Sequence, residues 1–241
     1  MAETLKAMEP LRQSASSIVA LVPMRHHSER VPGKNYRLLA GKPLYAHILE
    51  SLLACPEIQQ VVVDTDSPVI MEGIASHFAA VRIIERPEHL RGGGISTNEI
   101  LLHDVSEVSS RFYLQTHSTN PLLQAETISR AIAAFFSAMP DHDSLFAVTR
   151  LQKRLWHPDG RPINHDPGTL LRTQDLPPVY EENSCLYLFE GSVLIKRRNR
   201  LGERPLLFET EALESWDIDE ETDFLITDFL MRQRARPLSR E

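Results

Sequence analysis

The sequence contains few cysteines and no excess of positive charge. Its two cysteines, Cys55 and Cys185, lie far apart among 241 residues. Disulfide frameworks and thiolate metal sites need more thiols at closer spacing, so we expect both to be small, buried hydrophobic residues. The formal net charge is −7, which excludes a chain-wide basic surface of the kind that binds nucleic acid. Any anion site must therefore be a local cluster of cations.

Several common motifs and segments are also missing. No GxGxxG or GxxxxGK[ST] pattern follows the first apolar run, which disfavours a Rossmann oxidoreductase and excludes a Walker loop. The ten histidines show no HxxxH or HExxH spacing, so a zinc site is disfavoured. Residues 1–17 contain no apolar run long enough for a signal peptide or a membrane span. We expect them to form a disordered tail on a cytoplasmic protein with no membrane partner.

Short apolar runs alternate with longer segments of helical periodicity. This alternation predicts an α/β fold with a doubly wound, mostly parallel, Rossmann-like sheet. The hydrophobic content of 42% supports one principal domain over residues 18–241. The predicted strands cover residues 18–22, 60–64, 81–84, 112–115, 144–148 and 185–189. The predicted helices cover residues 43–54, 68–78, 96–108, 124–138 and 221–234.

Residues 150–178 interrupt this regular pattern. The stretch is rich in Pro, Gly, Asp and Asn, which predicts a small insertion of hairpins or loops. An insertion in an otherwise regular fold is usually functional or part of an interface.

The strongest chemical signal is the polar loop after the first predicted strand. In this loop Arg25, Arg30 and Lys34 concentrate positive charge within an otherwise acidic chain. Loops at the carboxyl ends of parallel strands are favoured phosphate sites, and Ser28 with nearby backbone N–H groups could add hydrogen bonds. On the residues alone, a solvated basic loop is an equally good interpretation.

Two acids near the carboxyl end of the chain form a second candidate. Asp217 and Asp219 are two positions apart, so on an extended segment they project to the same side and could both reach one Mg²⁺. They also precede a predicted helix, where acids favourably oppose the helix dipole. Both interpretations stay open from the residues alone.

Taken in chain order, these segments resemble the motifs of the acylneuraminate cytidylyltransferase family. SERVPGKN at 28–35 resembles the family's first motif, VVVDTDS at 61–67 its Ser-Thr-Asp strand, and ERPEHL at 85–90 its Arg-Pro-x-x-Leu segment. LQTHSTNPL at 114–122 and RTQDLPPVYEEN at 172–183 resemble its two sugar-pocket segments. WDID at 216–219 resembles its Asp-x-Asp metal motif.

The resemblance implies a Mg²⁺-dependent transfer of CMP from CTP to the hydroxyl of sialic acid or another nonulosonic acid, with release of pyrophosphate. It implies catalytic roles for Arg25, Arg30 and Lys34. The residues that it places on the nucleotide are Arg25, Ser28, Arg30, Lys34, Asn35, Arg86 and Thr97. Those that it places on the sugar acid are Gln115, Arg172, Gln174, Tyr180 and Asn183, with Asp217 and Asp219 on the metal.

The resemblance further implies a homodimer in which residues 150–178 pack on the partner subunit, and Lys153 or Arg154 reaches across to its sugar site. The sequence departs from the family at His26, His27 and Glu29, where small residues and a Lys are usual. These departures leave two alternatives open. One is the same reaction on KDO, on a different nonulosonic acid or on a phosphonate, and the other is a nucleotide-binding protein that has lost turnover.

Overall fold

The structure is a computed structural model and describes residues 17–234. The predicted tail, apart from Ser17, lies outside the described residues. The strands are β1 (Ile18–Met24), β2 (Leu38–Leu39), β3 (Lys42–Pro43), β4 (Ile58–Thr65), β5 (Val81–Glu85), β6 (Phe112–Thr116), β7 (Ser144–Leu151), β8 (Val179–Glu190) and β9 (Pro205–Glu209). The helices are α1 (Leu44–Leu53), α2 (Pro68–His77), α3 (Thr97–Glu107), α4 (Ala125–Ala138), α5 (Gly191–Arg197) and α6 (Glu221–Arg234).

Seven strands form one mostly parallel sheet in the order β5-β4-β1-β6-β8-β7-β9. β1 pairs in parallel with β4 and β6, β4 pairs in parallel with β5, and β7 pairs in parallel with β9. β8 runs antiparallel to both of its neighbours. β2 and β3 form a separate small hairpin. The predicted mostly parallel sheet is therefore confirmed.

Helices cover both faces of this sheet. Successive side chains of a strand point to opposite faces, and in β1 Ala20 and Val22 join a core with α1, α2 and α4. Val19 and Leu21 join a second core with α3 and α5. Burial on both faces explains why β1 is a continuous apolar run instead of an alternating one. The doubly wound arrangement is confirmed.

The direction of winding reverses at β1. The chain passes from β1 to β4 and β5 on one side, and then crosses over to β6 on the other side. In open α/β sheets, ligands bind at this switch point, beyond the carboxyl ends of the strands. The loops that follow β1 and β6 meet there, where Ser118 Oγ donates to Asn35 Oδ1 at 2.8 Å.

The structure contains elements that the sequence pattern did not predict. α5, β9 and the β2–β3 hairpin are all short, and β8 is longer than the predicted 185–189. Within 150–178, after β7 ends, the described structure comprises loops, a β-bridge between Trp156 and Pro162, and a 3₁₀ turn at Thr173–Asp175. Both cysteines are free and buried, as predicted. No described helix has the length and apolar character needed to cross a membrane.

Candidate functional site

A polar cleft of about 400 Å³ opens at the carboxyl ends of β1, β5 and β6. The cations that line it are Arg25, Arg30, Lys34, Arg86 and Arg91. Glu29 and Asp219 are the acids among its lining residues. All seven residues predicted to bind a nucleotide line this cleft: Arg25, Ser28, Arg30, Lys34, Asn35, Arg86 and Thr97. The structure thus places a local cluster of positive charge in a chain whose net charge is −7.

The loop after β1 has a defined conformation. Val31 N donates to Ser28 Oγ at 3.3 Å, which closes a turn. Gly33 has a φ of 67°, and a Cβ there would lie 2.8 Å from the Tyr36 ring. Glycine is therefore the residue that this left-handed turn requires. A small apolar cluster that contains Val31 and Ile218 anchors the loop to the segment before α6.

His26 fastens the same loop to the end of β4. Its backbone N–H donates to Asp66 Oδ1 at 2.6 Å, and its Nδ1 lies 2.7 Å from Ser67 Oγ. Its ring also stacks on Tyr36, with the centroids 5.2 Å apart. This departure from the family pattern thus has a structural role at the edge of the cleft.

Lys34 lies between the basic loop and the two acids. Its side chain is 11% exposed, and its ammonium group donates to the backbone carbonyl of Ile218. Its Nζ lies 3.9 Å from Asp219 Oδ1. Burial lowers the pKa of Lys34, while Asp217 and Asp219 oppose that shift. The ammonium is therefore held by the Ile218 carbonyl, close to Asp219, at the mouth of the cleft.

Asp217 and Asp219 lie on either side of Ile218, whose buried side chain anchors this segment. Ile218 is fully buried, and its N–H donates to the Thr119 carbonyl at 2.9 Å. Asp217 Oδ1 is buried without a hydrogen-bond partner among the described residues. Burial and the nearby Asp219 raise the pKa of Asp217, against the hydrogen bond from Thr119. A buried, unpartnered carboxylate oxygen beside a second carboxylate fits a hard divalent cation.

A different acid, Asp223, accepts hydrogen bonds from the backbone at the start of α6. Asp223 Oδ2 accepts the N–H groups of Asp219 and Glu220 at 3.0 and 2.8 Å. Asp223 is therefore the first-turn acid that the helix dipole favours. Asp217 lies outside the helix and takes no part in that hydrogen bonding.

Arg86 reaches the cleft from the segment after β5. Its Nε donates to Asp64 Oδ1, and its Nη2 lies 3.4 Å from the Met24 carbonyl and 3.3 Å from the Asp64 carbonyl. The residue is 3% exposed. Its guanidinium is thus fixed by the ends of β1 and β4.

Gln115 forms a second polar group behind the cleft. Its Nε2 lies 3.1 Å from His117 Nε2, and its Oε1 accepts from Arg200 Nη1. Arg200 stacks on the Tyr187 ring at 3.5 Å from the centroid. Burial, followed by the charges of Arg200 and Lys34, lowers the pKa of His117 to about 4. His117 is therefore neutral at pH 7 and lines the cleft beside Gln115.

Sequence reasoning missed His117 and Arg200. His117 lies inside the quoted segment LQTHSTNPL, so its position at the end of β6 was the available signal. Arg200 follows the unpredicted helix α5, and 85 residues separate it from Gln115. No local pattern joins two residues at that separation.

None of the five residues predicted to bind the sugar acid lines the cleft, although Gln115 contacts His117, which does. Arg172 is exposed and pairs with Asp175 at 2.6 Å, and Gln174 and Tyr180 are also exposed. Asn183 Nδ2 donates to Thr149 and Thr210 at 3.0 and 2.7 Å. The structure therefore does not bring these four residues together with the basic loop.

Comparisons with known proteins agree with this arrangement. The chain is 31% identical over 242 residues to a CMP-N,N′-diacetyllegionaminic acid synthase from Legionella pneumophila, an alignment that covers 92% of this chain and 99% of that protein. It is 26% identical to an N-acylneuraminate cytidylyltransferase from Escherichia coli, over 92% of this chain and 54% of that protein.

Solved structures show the same fold at low sequence identity. A CMP:2-keto-3-deoxy-manno-octonic acid synthetase complexed with CTP superposes with a TM-score of 0.67 at 16% identity, covering 91% of this chain and all of that one. The family model described as "Cytidylyltransferase" matches residues 19–228, which include β1, the basic loop, the cleft and the two acids. The chain therefore belongs to the cytidylyltransferase family and is a nucleotidyltransferase.

Proposed function

We propose that this protein transfers CMP from CTP to the hydroxyl of a nonulosonic acid, such as N,N′-diacetyllegionaminic acid or a sialic acid, and releases pyrophosphate. The observation that carries the proposal is the meeting of the basic loop with Asp219 at one cleft, with Asp217 two residues away on the same segment. The names of the related synthases support a nine-carbon sugar acid as the acceptor. The proposed reaction is a direct attack of the acceptor hydroxyl on the α-phosphorus.

Positioning and charge neutralisation are the main tasks of the protein in this reaction. Arg25, Arg30 and Lys34 would hold the triphosphate. The Lys34 ammonium is positioned at the cleft by its hydrogen bond to the Ile218 carbonyl, with Asp219 Oδ1 at 3.9 Å. Ser28, Asn35, Arg86 and Thr97 complete the nucleotide side of the cleft. No protein nucleophile is needed, because the acceptor supplies the attacking oxygen.

Asp217 and Asp219 are the proposed ligands of Mg²⁺. The unpartnered Asp217 Oδ1 supports this assignment. When bound, the ion would neutralise charge on the phosphates and lower the pKa of the acceptor hydroxyl. Arg30, which pairs with Asp219 at 2.6 Å, would then be available for a phosphate oxygen.

Gln115, His117 and Arg200 form the proposed sugar-acid side of the cleft. Gln115 can both donate and accept hydrogen bonds, and the adjacent Arg200 guanidinium suits a carboxylate. Arg172, Gln174, Tyr180 and Asn183 remain family-based candidates for the same substrate. They would act through closure of residues 150–178 or across a dimer.

Substituting Arg200 with Met is expected to raise the KM for the sugar acid by ~10- to 100-fold, because a hydrogen bond to a charged group contributes about 1.5–3 kcal/mol. The KM for CTP should change far less. Steady-state kinetics with each substrate varied in turn would measure both. Arg198→Met, a change at an exposed arginine nearby, is the matched control. An equal rise in the KM for the sugar acid and the KM for CTP would show that Arg200 does not bind the sugar acid specifically.

We also propose that the protein is a cytoplasmic homodimer that uses residues 150–178 as its interface. Large apolar side chains are exposed along this segment, namely Trp156, Ile163, Leu170 and Leu171. Arg154 lies within it and donates to the Leu171 carbonyl, so it belongs to the same surface as the apolar residues. Lys153 or Arg154 would then reach the sugar site of the other subunit.

The test is pyrophosphate release from CTP, ATP, GTP and UTP with Mg²⁺, against a panel of acids. The panel contains N,N′-diacetyllegionaminic acid, sialic acid, KDO and phosphonates. The proposal predicts release only with CTP and a nine-carbon acid. Pyrophosphate release with KDO or a phosphonate would support the same CMP transfer but identify a different acceptor. Tight CTP binding without pyrophosphate release from any nucleotide and acid would instead indicate a nucleotide-binding protein without turnover. Glu29, an acid in the lining of the cleft, favours that alternative.

A further inference from the structure

Two carboxyl groups are buried together beneath the nucleotide cleft. Asp64, at the end of β4, and Asp104, in the middle of α3, are each 1% exposed. One oxygen of each carboxyl and a ring nitrogen of His103 all lie within 4.8 Å of one another. Asp64 Oδ2 and both oxygens of Asp104 have no hydrogen-bond partner among the described residues. Buried polar atoms are normally paired, so this cluster needs an explanation.

The neighbouring charges do not satisfy both carboxyl groups. Arg86 gives its hydrogen bonds to Asp64 Oδ1 and to two backbone carbonyls, and none of them reaches Asp104. His103 Nδ1 lies 3.6 Å from Asp104 Oδ1, which is too long for a hydrogen bond. Glu107, on the same helix, adds further negative charge near Asp104. A second buried carboxylate without a partner would be strongly unfavourable.

We propose that Asp64 and Asp104 share one proton, and that this carboxyl pair holds Arg86 in position at the cleft. Asp104 is the protonated member and donates to Asp64 Oδ2, while Asp64 Oδ1 accepts from Arg86. Asp104 is thus a positioning residue that acts on the nucleotide through Asp64 and Arg86. The part of this inference that concerns the nucleotide rests on the proposed function.

Charge balance and burial both favour a proton at this position. One carboxylate, one neutral carboxyl and one guanidinium sum to zero, whereas a divalent cation in place of the proton would leave buried positive charge beside Arg86. Burial, followed by the facing Asp64 carboxylate, raises the pKa of Asp104 to about 9. Like charges that share a site cannot both ionise cheaply.

The first test compares unfolding of the wild type with that of Asp104→Asn, because the Asn amide can donate to Asp64 as a protonated carboxyl does. In the unfolded chain Asp104 has an ordinary pKa near ~4, so between that pH and about 9 only the folded state keeps the proton. Raising the pH therefore favours unfolding of the wild type, by up to ~10-fold per pH unit in the unfolding constant. Asp104→Asn should lack this component of the pH dependence. Glu107→Gln, which removes an exposed acid of the same helix, should retain it.

The second test measures CTP binding by calorimetry near pH 7. Asp104→Asn should bind CTP about as tightly as the wild type does, whereas Asp104→Ala, which cannot donate to Asp64, should bind at least ~10-fold more weakly, the effect expected when a supporting hydrogen bond is lost. If Asp104→Ala does not fold, CTP binding by Asp104→Asn still tests the positioning role. Weak CTP binding by a stably folded Asp104→Asn would overturn the positioning role.

Failure of this inference is distinguishable from failure of the proposed function. An unchanged pH dependence in Asp104→Asn would overturn the shared proton, even where the wild type binds CTP. A thermal midpoint that Mn²⁺ or Zn²⁺ raises in the wild type, but not in Asp104→Asn, would overturn it in favour of a metal site. If the pH difference is present and the wild type binds no CTP, the carboxyl pair stands and the proposed function fails.

Discussion

Substituting Asp217 with Asn is expected to reduce kcat by at least ~100-fold with the fold intact. The carboxylate oxygen that loses its charge is buried and unpartnered, and a metal ion typically contributes several kcal/mol of transition-state stabilisation, with each 1.4 kcal/mol worth tenfold. The variant should also need more Mg²⁺ for half-maximal rate. Initial rates over a Mg²⁺ titration would measure both effects.

The matched control for this variant is Glu211→Gln, which removes an exposed acid from the same segment. It should keep nearly full activity. Should Asp217→Asn instead turn over normally and lose only the ~0.3–1 kcal/mol of stability typical of an acid near a helix N-terminus, the metal assignment would be wrong. Asp223 already accepts hydrogen bonds from the backbone N–H groups at that helix N-terminus. We therefore expect Asp217→Asn to lose kcat, and not merely stability.

The second large effect is expected at Lys34. Lys34→Met keeps most of the apolar stem but removes the charge, and loss of one fixed donor to a developing negative charge typically lowers kcat by ~10²- to 10³-fold. Lys34→Arg should rescue little, because the planar guanidinium cannot replace a compact ammonium that donates to the Ile218 carbonyl beside Asp219. The measurement is kcat and KM for CTP, alongside thermal unfolding to check the fold.

Lys42→Met is the control for this prediction, because Lys42 is exposed and pairs with Glu50 away from the cleft. It should leave kcat unchanged. If Lys34→Met were as active as Lys42→Met, the loop after β1 would be the solvated basic loop that the residues alone also allowed.

The clustering of cations at the cleft could be predicted from the sequence because its determinants are local. Arg25, Arg30 and Lys34 lie in one loop after one strand, and the position of that loop follows from parallel-sheet topology. The pairing of this loop with Asp219 joins distant segments, and the family resemblance supplied it. The residues alone left the role of the two acids undecided.

The Gln115–His117–Arg200 group, which we propose as the sugar side, could be predicted only in part, because tertiary contacts create it. Arg200 reaches Gln115 only after α5 and β9 take their places in the fold, and both elements are too short to give a clear periodic signal. Asn183 illustrates the converse case, since a residue in a recognisable motif uses its amide to bridge Thr149 and Thr210. The Asp64–Asp104 pair was equally hidden, because nothing in a sequence shows that two acids on different elements face each other.

The most direct test of the account is ³¹P NMR of the products formed from CTP, Mg²⁺ and N,N′-diacetyllegionaminic or sialic acid. The account predicts equal amounts of pyrophosphate and a CMP–sugar phosphodiester, with neither formed by Asp217→Asn. Formation of free CMP with pyrophosphate, or no consumption of CTP with any nine-carbon acid, would contradict it.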